Sequence, residues 1–206
     1  LKNLVLKVDS PEQMMYWQIT RGTAPRTQIY PSKDVKANLW VTIKPMVVKD
    51  QTQLLSLTDM EDTRFLHCNI KTLNLLVNCM AATKAENEGR DECVFHRGEI
   101  VTECAHSNIS IIKDGVFITH PTDHHILPGI TRMHMIQICK ENNIPVDETP
   151  FTMEDLKNAD EVFISSATQL CRRAGSLNGE NIGCKDSKLA ELIQNCYWDK
   201  YMEETK

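Results

Sequence analysis

No apolar stretch in the 206 residues approaches the ~20 residues that a membrane-spanning helix needs. There is no run of like charge, no internal repeat and no low-complexity tract. That excludes solenoid and fibrous architectures and gives no ground for extended disorder. No C-x-x-C pair occurs among the eight cysteines, and Pro121 interrupts the helix that would let His120 and His124 face one another, so no structural zinc site is expected. Basic residues do not exceed acidic ones. With a net charge of -5, electrostatics give no reason to expect nucleic acid or an anionic membrane as a partner. Aromatics are sparse at 6%, but hydrophobic residues at 41% and charged residues at 25% describe an ordinary globular chain with enough material for one large core or two unequal domains.

The eight cysteines would allow ~105 pairings. Scattered through apolar periodic segments, they read instead as free buried thiols in a reducing cytosol. The chain opens at Leu1 rather than at a methionine, which suggests that its true amino terminus lies upstream.

Local chemistry places several elements. "MMYWQITRG" (14–22) and "ANLWVTIK" (37–44) are aromatic and β-branched, and both predict strands. A Pro- and Gly-punctuated loop lies between them, and "KPMVVKDQTQ" (44–53) reads as an interdomain connection. "LNLLVNCMAATKAENEG" predicts a helix stopping at Gly89. Hairpins are expected about Arg97-Gly98 and Asp114-Gly115. "TRMHMIQICKENN" predicts a helix beginning at Thr131, and Thr152 three residues before Asp155 predicts a capping-box start. "EVFISSA" reads as a strand and "SLNGENIG" as a turn. "DSKLAELIQNCYWDKYMEE" is an amphipathic helix with Leu189, Leu192, Ile193, Cys196 and Tyr197 on one face. Strands and helices intermix, so the class is α/β or α+β.

Several polar residues invite a functional reading. Lys71 stands inside the apolar run "RFLHCNIKTLNLL" (64–76), where an unpaired ammonium is costly and tends to shed its proton; snorkelling of its stem is the plain alternative. Glu103 ends a predicted strand. "LPGITR" (127–132) puts Gly129 and Thr131 where chain enters helix, a geometry whose free N–H groups suit a phosphate. "ISSAT" (164–168) offers three hydroxyls after a strand, and Arg26 sits in a proline-fixed loop from which it could fork a carboxylate. Each of these, alone, is matched by a bland structural explanation.

In order, "TRGTAPR", "CNIKTLNLL", "HRGEIVTE…SN", "ILPGITR" and "ADEVFISSAT" resemble the branched-chain and D-amino-acid aminotransferase family, the fold-type IV pyridoxal-phosphate enzymes, at near-family spacing from about Gln18 to Thr168. The resemblance implies that Lys71 joins pyridoxal 5′-phosphate as a Schiff base and moves the proton between Cα and C4′, its apolar setting keeping the amine free. It implies that Glu103 pairs with the pyridine nitrogen and that Leu127 lies against the ring. Ile130, Thr131 and Ser166 would hold the phosphate, and Arg26, with Gln28, the substrate carboxylate. Departures accompany it. Gln28 stands where the D-amino-acid enzymes usually carry histidine, Ala167 replaces a frequent hydroxyl, and Ala105 and His106 replace serines. The family's first segment, with a further phosphate-binding arginine, is not in these residues.

The resulting expectation is a pyridoxal-phosphate transaminase acting on a D-amino acid and a 2-oxo acid, needing no metal. It would be a cytoplasmic homodimer whose cofactor cleft lies near the subunit and domain boundary. Residues 1–47 would be the remainder of a small amino-terminal α/β domain and 48–206 the large cofactor-binding domain. Within the same fold, a branched-chain L-amino-acid aminotransferase or an aminodeoxychorismate lyase are alternatives. The arginine of "TAPR" speaks against both. A non-catalytic relative is the alternative from another class.

Overall fold

The structure is a computed structural model describing residues 1–205. The chain divides into two compact units, Leu1–Lys49 and Asp50–Lys206.

In the first unit a short helix α1 (Lys2–Val5) precedes an antiparallel pair, β1 (Gln13–Thr20) and β2 (Asn38–Pro45), in a register that sets Trp17 opposite Val41 and Ile19 opposite Leu39. These are the two strands that the aromatic and β-branched runs predict. Between them, Gly22 adopts φ +97° with its backbone against Lys36; a Cβ there would stand 2.2 Å from the Lys36 carbonyl oxygen, so only glycine fits. Arg21 lies over the Tyr30 ring at 3.8 Å. Trp17, Ile19, Leu39 and Trp40 are all more than half exposed, and a lone strand pair buries little.

The second unit is a nine-stranded mixed sheet with helices packed on it. In chain order it contains β3 (Leu55–Glu61), α2 (Leu76–Asn87), β4 (Glu92–Arg97), β5 (Ile100–Cys104), β6 (Asn108–Lys113), β7 (Val116–Thr119), α3 (Ile130–Glu141), β8 (Val146–Asp147), α4 (Met153–Asn158), β9 (Glu161–Ser166), β10 (Leu170–Leu177), β11 (Glu180–Asn181) and α5 (Ser187–Glu204). The spatial order is β5-β4-β3-β10-β9-β6-β7-β8, with β11 against β10. β3 runs parallel to β4 and to β10, so β3–α2–β4 is a crossover unit; parallel neighbours require such a connection. β10 joins the two halves of the sheet: Leu170–Arg173 pair with β9, while Ala174–Leu177 pair with β3 across a register shift.

The hairpins follow their turn chemistry. Asp114 (φ +51°) and Gly115 (φ +74°) take the left-handed conformations that a tight two-residue turn needs. The α4 capping box is complete, with the Asp155 N–H donating to Thr152 Oγ1 at 3.0 Å and the Thr152 N–H to Asp155 Oδ2 at 3.0 Å. Leu55, Leu57, Val94, Ile109, Ile111, Val162 and Ile164 fill the main core between sheet and α4, and Ala81, Ala85, Cys93 and Phe95 form a second cluster under α2. All eight cysteines are free; Cys79 and Cys184 are exposed, Cys196 half-buried and the other five buried. Among the described residues no helix is long and apolar enough to cross a membrane.

Candidate active site

Strand ends and one helix start converge around Asn108. It opens β6 opposite Ser165 of β9, which places it next to Ser166 at the end of that strand. Its amide nitrogen donates to Glu103 Oε2 at 3.0 Å and to the Leu127 carbonyl at 2.9 Å, and the Leu127 N–H donates to the same Glu103 oxygen at 3.0 Å. Gly129 is the N-cap of α3, and a Cβ there would stand 2.1 Å from Asn108 Oδ1. The glycine of "LPGITR" is therefore demanded by close approach; its φ of -67° is ordinary. No side chain caps α3, so the first N–H groups of the helix, at Ile130 and Thr131, lack intrahelical partners. Ile130 is exposed. Thr131 is buried, and its hydroxyl lies 3.2 Å from the Tyr197 hydroxyl of α5. Ser166 Oγ accepts the Gln169 N–H at 3.1 Å.

Glu103 is buried, and its other oxygen takes a hydrogen bond from Arg64 Nη1 at 2.5 Å. Burial pushes the Glu103 carboxyl up to about 7, against the opposing pull of Arg64 and the Leu127 amide. Arg64 is itself forked onto Asp62, with Nε to Oδ1 and Nη2 to Oδ2 both at 2.9 Å. Its guanidinium lies over the Phe95 ring at 4.5 Å, and Nη2 also reaches the His125 carbonyl at 3.2 Å. Burial works to raise the Asp62 carboxyl, but the hydrogen bonds and charge of Arg64, with Arg97 behind it, hold it below the usual range. Arg64 stays protonated between its two carboxylates.

Sequence patterns do not single out Arg64, Asp62 or the role of Asn108, although Arg64 opens the lysine stretch and Asn108 closes the glutamate block. A lone arginine at the edge of an apolar run looks like a solvated cap. Only the fold brings Glu103 to it, 39 residues along the chain.

The expected apolar surroundings of Lys71 need correction. Lys71 lies in the coil between β3 and α2 and is exposed, and Leu66, Ile70, Leu73 and Leu76 are each half or more exposed beside it. The run is apolar in composition, but nothing within its own unit covers it. The segment is tied down at its start by the Asp62 N–H to the His96 carbonyl (2.7 Å) and midway by the Cys68 N–H to the His124 carbonyl (3.0 Å). Arg26 and Gln28 lie in the exposed β1–β2 loop of the other unit.

An aminotransferase from Brucella abortus, solved with the co-factor PLP, superposes with a TM-score of 0.80 at 18% identity, over 91% of this chain and 68% of that one. Residues 1–177 match the family described as Amino-transferase class IV, and the chain belongs to that family. Among curated relatives, the D-alanine aminotransferase of Listeria monocytogenes is 44% identical over 173 residues, 82% of this chain and 60% of that protein. The D-alanine aminotransferase of Bacillus licheniformis is 37% identical over 209 residues, 100% of this chain and 73% of that protein. The match therefore spans only three fifths of the Listeria relative's length.

Proposed function

We propose that this chain is the greater part of a pyridoxal-phosphate transaminase that moves the amino group of a D-amino acid, such as D-alanine, to a 2-oxo acid such as 2-oxoglutarate. Family membership brings the cofactor, and the identity to D-alanine aminotransferases supports the substrate class. The observation that carries the reading is the Glu103–Asn108–Leu127 assembly beside the uncapped start of α3.

The residues present fit such a group. An ionised carboxylate has about four acceptor positions, and Glu103 uses three, on Arg64, Asn108 and Leu127, leaving one for a pyridine N–H. The free N–H groups of Ile130 and Thr131 suit a phosphate, and Ser166, which follows the partner of Asn108 in β9, offers a further hydroxyl; Ala167 adds no side-chain donor. When bound, pyridoxal phosphate supplies a pyridinium ring that withdraws electron density from the substrate Cα.

The remaining work belongs to the chain. Glu103 holds the proton on the pyridine nitrogen, and Arg64 and Asn108 keep its carboxylate aimed. Lys71 would hold the cofactor through its Nζ, and once free that amine would take the substrate's proton and return it. Leu127 backs the ring. Arg26 takes the substrate carboxylate, with Gln28 giving a weaker neutral hydrogen bond.

We infer further that the protein is a homodimer. Leu66, Ile70, Leu73, Leu76 and Met80, in and just after the Lys71 segment, are each half or more exposed, the kind of apolar residues that a partner subunit would cover. Eight unpaired thiols support a reducing, cytoplasmic setting.

The test is half-transamination by the full-length protein with paired enantiomers, followed by the cofactor's absorbance. D-alanine is expected to convert the cofactor to its amine form faster than L-leucine or L-valine does. The reverse order would replace this reading with the branched-chain one, and conversion by neither would favour the lyase or a non-catalytic relative. Borohydride should fix the cofactor to the peptide containing Lys71; fixation at another lysine overturns that assignment.

A further inference from the structure

The segment between β7 and α3 reads "THPTDHHILPG", and it folds three potential metal ligands onto one point. His120, Asp123 and His125 each present a ligand atom, and the three atoms lie within 4.8 Å of one another, the one such group among the described residues. Asp123 sits between the rings and offers one oxygen to each: Oδ2 is 3.0 Å from His125 Nδ1 and Oδ1 is 3.9 Å from His120 Nδ1. Around Zn2+, with ligands at ~2.0–2.1 Å, tetrahedral neighbours stand about 3.3 Å apart, so those two distances bracket the needed spacing. Small rotations of the two part-exposed side chains would close the set.

The surroundings suit a cation of this class. His120 is buried at 3% exposure, and its Nδ1 lies 3.0 Å from the Pro121 carbonyl, a hydrogen bond that the ring gives up when that nitrogen turns to a metal. Asp123 Oδ1 also accepts the His125 N–H at 2.7 Å, which fixes the carboxylate within the loop. Two imidazoles with one carboxylate favour Zn2+ and its neighbours over Mg2+ or Ca2+, which prefer all-oxygen sites.

We propose that His120, Asp123 and His125 form a binding site for a divalent transition-metal cation of the Zn2+ class, with a fourth position open to water. The ion would pin the end of β7 to the segment leading into α3. That segment supplies the His125 carbonyl to Arg64 and the Leu127 N–H to Glu103. The proposal does not depend on the transaminase reading, because it concerns binding alone.

The experiment titrates Co2+ into the full-length protein with its thiols kept reduced by a phosphine, comparing wild type with Asp123→Asn and His125→Leu. Both positions are partly exposed, so both variants should fold, as the far-ultraviolet spectrum checks. Wild type should bind one equivalent with visible d–d bands and no thiolate-to-cobalt charge-transfer band, and each variant should bind at least tenfold more weakly. Zn2+ should raise the melting temperature of wild type and leave that of His125→Leu unmoved. A charge-transfer band would assign the ion to cysteine and overturn the proposal. So would equal affinity in wild type and both variants, or no binding at all.

Discussion

Replacing Gly129 by alanine is the sharpest test of how the carboxylate is held. The glycine backbone at φ -67° and ψ 138° suits any residue, so the substitution carries no conformational penalty of its own. What it adds is a methyl group 2.1 Å from Asn108 Oδ1, a separation that cannot exist. Asn108 must swing away or α3 must shift, and either movement breaks the amide's bonds at 3.0 Å to Glu103 and 2.9 Å to the Leu127 carbonyl. A hydrogen bond to a charged group contributes roughly 1.5–3 kcal/mol and a neutral one roughly 0.5–1.5, so Gly129→Ala should cost about 2–4 kcal/mol. Urea denaturation of the full-length protein should show a lower midpoint at unchanged slope. The control is Asn108→Ala, which loses the same bonds and also removes the obstacle. In that background Gly129→Ala should add less than about 0.5 kcal/mol. A single variant as stable as wild type, or two effects that simply add, would refute the reasoning.

Glu103→Gln bears on pH. Because the folded carboxyl is raised to about 7 from 4.5, the folded state binds more protons than the unfolded one between those values. Its contribution to stability is therefore lost as pH rises from about 4.5 to 7 and is level above, a change of about 3 kcal/mol; the glutamine variant should lack that slope in cofactor-free melts. Thr152→Ala removes the α4 capping box and should cost about 1 kcal/mol by denaturant titration, with activity kept. Lys71→Ala should abolish turnover yet leave the cofactor-free melting temperature almost unmoved, since the side chain is exposed. Arg26→Ala should raise KM for the amino acid without weakening cofactor affinity measured by dialysis, and equal losses in both would remove its assignment to the substrate.

How much of the fold is legible in the sequence tracks the range of the interactions involved. β1 and β2 are legible in the composition of their own residues, and the Asp114-Gly115 turn and the Thr152–Asp155 cap because partners a few residues apart carry the signal. β3 and β10 escape the sequence patterns. β3 sits between parallel neighbours, and "LCRRAGSL" hides its role because Arg173 pairs with Glu161 of β9 and Arg172 Nη2 donates to the Gln53 carbonyl. α2 starts at Leu76, later than its helix-forming composition suggests, because Leu73 and Leu75 stay in the exposed coil. At the site, Glu103 has the local look of a solvated strand end, and its burial comes from Arg64 and from Asn108, residues brought to it by tertiary folding. The exposure of the Lys71 segment is invisible in composition, which records that residues are apolar but not what covers them.

The double duty of β10 sets a timetable for synthesis. Leu55–Leu57 find one of their two strand neighbours only when residues 174–177 have left the ribosome, more than a hundred residues later. Until then β3 has β4 on one side and an open edge of unpaired N–H and C=O groups on the other, while β6, β7 and β9 can already assemble among themselves. The nascent chain therefore carries two half-sheets that cannot be joined, and a late strand closes the seam. A stall or premature stop before Leu170 would release a chain with an adhesive edge along β3, a substrate for chaperones and for aggregation rather than a smaller working protein.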